Sequence, residues 1–209
     1  MVMNEASKKA FSAMRIFFTG VGGQGTLLAT RLVGEAALEE GLPVTMSEIH
    51  GMAQRGGVVE SSVVVGDAYS PIISDGWADI LMAFEPIEAA RALPKCHRES
   101  LVISNTTPII PFTVATGQGA CPDIESLYFL IEEKVKCLAR IDADSIAKEA
   151  GSDRAVNIVM VGVLAGSGEL PISMEKWQDA LKKVIPGKLL EVNRRAFEMG
   201  VAVGSRLAR

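Results

Sequence analysis

At 209 residues, with 48% hydrophobic and only 5% aromatic side chains, the chain is long enough for one domain with a substantial core and greasy enough to be a subunit with buried interfaces. Its 21 Lys and Arg against 25 Asp and Glu give a net charge of −4, which excludes the basic footprint of a nucleic-acid binder. No apolar run approaches the roughly 18 residues of a membrane span, so the expectation is a cytoplasmic protein without nucleic-acid or membrane partners.

Residues 1–13 carry Lys8 and Lys9 but no apolar signal core, and they read as a mobile extension. Residues 14–209 read as a single domain. Arg15-Ile16-Phe17-Phe18-Thr19 is β-branched and aromatic, as a buried strand should be. Gly20-Val21-Gly22-Gly23-Gln24-Gly25 follows at once, and Leu28, Ala29, Leu32, Val33, Ala36 and Ala37 then recur at helical spacing. A strand, a G-x-G-x-x-G turn and a helix form the opening unit of a dinucleotide-binding sheet, with backbone N–H groups gathered at a positive helix end. A tight crossover without a ligand fits the same pattern. The Gln24 amide is placed to reach over the opening of the turn.

Leu42 to Glu48 reads as a second strand, parallel to the first because a helix returns the chain. Val58 to Val65, the Gly66-Asp67 turn and Tyr69 to Ile73 read as a hairpin. Ile80 to Phe84 is a buried strand ending at Glu85-Pro86, where proline suits the first turn of a helix. Leu101 to Ser104 is a strand and residues 108–122 an irregular loop. Ile124 to Lys134 is a helix, Val135 to Ile141 a strand, and Asp142 the cap of a helix ending at Gly151. Asn157 opens a segment apolar on all sides, hence a buried helix. Two amphipathic helices follow, one carrying Trp177 and Leu181, the other Leu189, Ala196 and Val203. The expected fold is α/β: a Rossmann-like three-layer domain with a mostly parallel sheet, a β-hairpin insertion and a helical C-terminal tail.

Cys96, Cys121 and Cys137 lie far apart without a C-x-x-C, and there are two histidines. That supply is too poor for an iron–sulfur cluster or a structural zinc, so no metal and no redox centre is expected in this chain. Cys96-His97 reads as a capped helix end. A nucleotide-hydrolysing phosphate loop and a serine-hydrolase elbow are both missing. The informative polar stretch is Glu48 to Gly57. Glu48, His50, Gln54 and Arg55 supply an acid, an imidazole, an amide and a fixed cation, and Gly56-Gly57 lets backbone donors approach whatever Arg55 faces. Glu48 also stands near the distance at which a dinucleotide site places its ribose-binding acid.

Together, Gly20 to Gly25 and the run Glu48-Ile49-His50-Gly51-Met52-Ala53-Gln54-Arg55-Gly56-Gly57 resemble the gamma-type domain of 2-oxoacid:ferredoxin oxidoreductases. Tyr69-Ser70-Pro71-Ile72-Ile73, Ala78-Asp79-Ile80-Leu81, Phe84-Glu85-Pro86 and Asn157 are further similar pieces, and the resemblance spans residues 14–203. The His50-to-Gly57 run is most like the small subunit of the indolepyruvate enzymes. The resemblance implies a subunit without a redox centre, inactive alone. Its large partner would hold thiamine diphosphate, magnesium and the iron–sulfur clusters, decarboxylate a 2-oxoacid, pass electrons to ferredoxin and release the acyl group to coenzyme A. It further implies that Gly20, Gly22, Gly23, Gln24, Gly25, Glu48, His50, Gln54, Arg55, Gly56, Gly57 and Asn157 face the partner or the acyl-acceptor site. No single residue receives a catalytic role. The alternatives are a gamma subunit of a pyruvate or 2-oxoglutarate enzyme, an NAD(P)-binding oxidoreductase, and a non-enzymatic binding module.

Overall fold

The computed structural model describes residues 13–48, 57–110, 114, 117 and 119–207. Its strands are β1 (Met14–Val21), β2 (Val44–Glu48), β3 (Val58–Val65), β4 (Ala78–Ala83), β5 (Cys96–Asn105) and β6 (Cys137–Ile141). Among the described residues they make one six-stranded mixed sheet in the order β2-β3-β1-β4-β5-β6. β1, β4, β5 and β6 pair in parallel, whereas β3 is antiparallel to both β1 and β2.

Alternation along the strands builds two cores. Ile16, Phe18, Val63, Val65, Ile80, Met82, Leu101 and Ile103 point to one face, under α1 (Thr26–Glu39), α4 (Ala143–Ala150), α5 (Val156–Ser167), α6 (Met174–Val184) and α7 (Gly187–Gly204). Phe17, Val64, Leu81, Ala83 and Val102 point to the other, under α2 (Pro86–Arg91) and α3 (Ile124–Lys134). The three-layer expectation holds, and Glu85, Asp123 and Asp142 cap α2, α3 and α4 through their side chains.

Two local expectations fail for identifiable reasons. β2 runs in the direction of β1 but is not its neighbour, because β3 occupies the slot between them. Tyr69 to Ile73 is not the returning arm of a hairpin: β3 already has a ladder on each side, so no edge remains to pair with it, and Pro71 lacks a donor. The hairpin is instead β2–β3, whose connection includes residues 49–56, outside the described residues. Cys96 does end a helical turn, the short 3-10 helix Leu93–Lys95, where its N–H donates to Leu93 O, and it also opens β5; its buried thiol is pushed up to about 11 by desolvation. The extension expected at residues 1–13 also falls outside the described residues, except for its last residue.

The apolar helix α5 is buried because it is enclosed by α1, α4, α7 and the sheet. Its tight pairing with α7 rests on glycine. A Cβ at Gly162 would overlap the carbonyl oxygen of Phe197, and one at Gly166 that of Val201. Gly200 and Gly204 stand in the same relation to the carbonyls of Val159 and Val163. Two glycines one turn apart on each helix thus let the backbones touch. Gly162→Ala gains about 1 kcal/mol in helix propensity but forces two packed backbones apart, an overpacking cost of about 1–3 kcal/mol. Because the neighbouring atoms are main chain, the steric cost should win. Thermal unfolding of Gly162→Ala and of Gly200→Ala should each show a melting temperature lower by roughly 3–8 °C. A Cβ at Gly162 would also approach the Gly200 Cα at 3.1 Å, so the double variant should cost less than the sum. Unchanged melting of both single variants would contradict the close packing.

Candidate functional site

β1 leads into α1 on one face of the sheet, while its parallel neighbour β4 leads into α2 on the opposite face. Adjacent strands whose connections part in this way open a crevice at their C-terminal ends. A cleft of about 410 Å³ lies there, lined by Gly23, Gln24, Gly25, Asn105, Thr107, Ile109, Asp144, Asp153, Arg154, Val156 and Asn157. Its size falls at the lower end of small-ligand sites, about 300–1,000 Å³.

The glycine turn is built from within. Gly23 has φ 105° and Gly25 φ 79°, the left-handed region where a Cβ is strained. A Cβ at Gly20 would press on Gln24 Oε1 at 2.7 Å and on the Phe84 Cβ at 3.0 Å. The Gln24 amide does not reach over the opening as expected. It turns inward, accepting from Val21 N at 2.7 Å and donating to the Phe84 carbonyl at 2.9 Å, and so pairs backbone groups at the strand ends. Gly22 N donates to Gly57 O at 2.8 Å, tying the turn to the start of β3.

Asn157 is 4% exposed. It donates through Nδ2 to Gly25 O at 3.1 Å and accepts from Ile158 N at 3.0 Å. A Cβ at Gly25 would overlap its amide nitrogen. The last glycine is therefore required twice, by its φ and by Asn157. The N-termini of α1 and α5 meet at this contact, and neither has a side-chain cap or an acidic residue in its first turn. The hydroxyl of Thr26, in the first turn of α1, is buried without a partner. Two uncapped helix ends beside Arg154 favour an anion, and Asp144 and Asp153 on the rim restrict where it can sit.

Glu48 is placed differently. It stands at the end of β2, opposite Ser61, with β3 between it and β1. A dinucleotide site carries its acid on the strand beside β1, whereas Glu48 is two strand spacings away, roughly 9–10 Å. His50, Gln54, Arg55 and Gly56 lie outside the described residues. The cleft also contains residues that sequence reasoning missed. Asn105 donates to Asp144 at 2.8 Å and to the Phe84 carbonyl at 3.2 Å, and accepts from Ala143 N at 3.1 Å. The signal for it was a lone polar residue closing an apolar strand at the edge where ligands gather. Among the described residues, no group of three or more His, Cys, Asp and Glu side chains gathers as metal ligands.

Below the crevice lies a buried acidic pair. Glu85, 1% exposed, caps α2 by accepting from Ile87 N at 3.1 Å and from Glu88 N. Desolvation raises its carboxyl above the usual range, against the pull of the N–H groups of Glu88, Ile87 and Ile109 and of Arg91. Glu88 is raised chiefly by desolvation and further by Glu85 and Glu60, while Arg91, 3.1 Å away, opposes.

Two outcomes are expected here. Asn157→Asp replaces the donor facing Gly25 O with an acceptor, so a buried carbonyl loses its partner at about 1–3 kcal/mol. Its melting temperature should fall by several degrees, and retention of full stability would remove Asn157 as the pin of the turn. For Glu88, a folded-state pKa above the unfolded value means that the folded chain holds the proton more tightly. Its ionisation therefore destabilises the fold as pH rises from about 4 towards neutrality. Glu88→Gln should gain stability relative to the natural chain along that rise, and a gain growing towards acid would refute this sign.

Residues 15–203 match the family described as pyruvate ferredoxin/flavodoxin oxidoreductase. The indolepyruvate oxidoreductase subunit IorB of Methanothermobacter thermautotrophicus is 40% identical over 185 residues, covering 88% of this chain and 94% of that protein. A keto/oxoacid ferredoxin oxidoreductase gamma subunit from Geobacter sulfurreducens has the same fold, with a TM-score of 0.66 at 23% identity over 92% of this chain and 99% of its own. The 2-oxoglutarate:ferredoxin oxidoreductase of Magnetococcus marinus, solved with 2-oxoglutarate, coenzyme A and succinyl-CoA bound, contains it too. There the TM-score is 0.73 at 21% identity, over 95% of this chain but only 32% of the longer one. The chain therefore belongs to the pyruvate ferredoxin/flavodoxin oxidoreductase family.

Proposed function

We propose that this chain is the small subunit of an indolepyruvate-type 2-oxoacid:ferredoxin oxidoreductase, active only with a larger chain. The observation that carries the reading is the 40% identity to indolepyruvate oxidoreductase subunit IorB along nearly the whole length of both proteins. The reaction converts a 2-oxoacid, coenzyme A and two oxidised ferredoxins into acyl-CoA, carbon dioxide, a proton and two reduced ferredoxins. Thiamine diphosphate, magnesium and the iron–sulfur clusters belong to the larger chain. This chain contributes the cleft between the glycine turn and α5.

The part of the reaction that suits the cleft is the acyl acceptor. Coenzyme A carries phosphates, and the uncapped ends of α1 and α5 with Arg154 offer them donors and positive charge. Glu48, held two strands from β1, is badly placed for the ribose of a nicotinamide cofactor. His50, Gln54, Arg55 and Gly56 stay with the proposal as the loop facing the larger chain or the acceptor.

Arg154 is exposed and sits in a short turn, so Arg154→Ala should leave the melting temperature of the free subunit unchanged. In the reconstituted complex it should raise the apparent KM for coenzyme A about tenfold, the loss of one charge-assisted contact of about 1.4 kcal/mol. Calorimetry on the free chain should find NAD(H) and NADP(H) bound no tighter than about 1 mM. Low-micromolar affinity for either would restore the dehydrogenase reading, and an unchanged KM would move the acceptor site elsewhere. In the complex, turnover of aryl 2-oxoacids in preference to pyruvate and 2-oxoglutarate tests the substrate class.

A further inference from the structure

The helical layers do not cover the sheet evenly. On the face that carries α2 and α3, those helices lie on the side of β4, β5 and β6. α2 also reaches β1, but among the described residues the same face of β3 and β2 has only the irregular strip 66–77. This strip is not loosely laid. Ser62 Oγ donates to Pro71 O at 2.6 Å, Lys95 Nζ to Ile73 O at 3.1 Å, and Gly76 N to Pro94 O at 2.9 Å. Lys95 also pairs with Asp75 at 2.9 Å, and Ile73 is buried beneath the strip.

Yet this pinned strip turns its large side chains outward. Tyr69 is fully exposed, Ile72 is 76% exposed and Trp77 57%. Trp77 is held by the Arg15 guanidinium, 5.1 Å from its ring centre. Two hollows flank the ridge. One of about 330 Å³ runs along Arg15, Asp67, Tyr69 and Trp77, and one of about 310 Å³ along Phe17, Ser47, Glu60 and Lys95. A contiguous apolar patch on a rigid frame loses little conformational entropy when covered, and Tyr and Trp are the side chains that anchor interfaces.

We propose that the larger chain of the same enzyme docks on this strip of the sheet face, seating an apolar surface on Tyr69, Ile72 and Trp77. The proposal rests on the function proposed above. Its occupant is chosen from the way the fold occurs elsewhere. In the Magnetococcus marinus enzyme it makes up 32% of a longer chain, so other polypeptide is tethered to the fold there. Where the domain is a separate chain, a second chain has to take that place. Tyr69 and Trp77 also lie by Arg15, at the N-terminal end of β1, whereas the cleft opens at the C-terminal ends of the strands. Docking there leaves the cleft open to a ligand.

The test measures the affinity of the purified chain for its larger partner, by titration with mass photometry, together with the melting temperature and oligomeric state of the free chain. Ile72→Glu and Trp77→Ala should each weaken assembly at least ~30-fold and leave the melting of the free chain within its error. Leu189→Glu, at an exposed position on α7, should assemble normally. Unimpaired assembly of both ridge variants overturns the docking surface while leaving the proposed function intact. A free chain that dimerises and becomes monomeric with Ile72→Glu assigns the ridge to a second copy and also overturns it. Failure of the natural chain to bind the larger chain at all overturns both the surface and the function.

Discussion

The carbonyl of Phe84, where β4 ends, holds three segments together. It receives the Gln24 amide from the glycine turn at 2.9 Å and the Asn105 amide from the end of β5 at 3.2 Å, while Phe84 N donates to Thr19 O at 2.9 Å. The same Asn105 amide bonds Asp144 at the start of α4, and Tyr128 OH donates to Asn105 O at 3.2 Å. The Phe84 carbonyl and the Asn105 amide are removed from water, and each would be costly to leave unpaired. One carbonyl thus fixes the spacing of β1, β4 and β5 where the cleft begins. The cleft is preorganised because its walls are needed to satisfy one another.

The second wall has a different origin. Asn157 reaches Gly25 because α5 is carried there by its packing against α7, and that packing needs four glycines to bring two backbones into contact. Long-range packing, not loop chemistry, places the amide. A helix apolar on every side cannot choose its rotation by exposing a polar face. The glycine contacts with α7 and the single polar anchor at its N-terminus set that rotation instead.

Much of this could be read from the chain. Apolar runs and helical spacing placed β1, β4, α3, α4 and α5 close to their observed limits, and Asp142 fell where a cap belongs. Gly20 to Gly25 and Asn157 stood out and do meet at the cleft. What could not be read is pairing. β2 and β3 carry no local mark of their neighbours, and whether β3 inserts beside β1 depends on the whole sheet. The inward turn of Gln24 escaped for a related reason, since its partner is 60 residues away. Arg154 belongs to the site only through topology, because nothing in its local sequence sets it apart.

The insertion of β3 has consequences beyond strand order. In a dinucleotide fold the slot beside β1 holds the strand whose end binds the ribose, and here it holds a strand running the other way. The start of β3, not the end of β2, therefore meets the glycine turn, and Gly57 O takes the Gly22 donor at 2.8 Å. The acid at Glu48 is moved to the sheet edge. The same insertion lengthens the sheet by one strand without adding a crossover helix, since an antiparallel neighbour needs only a hairpin connection. Among the described residues, a strand gained without a helix leaves one face of β3 and β2 without a helical layer. Loss of the ribose position and gain of an open sheet face thus follow from a single change in pairing.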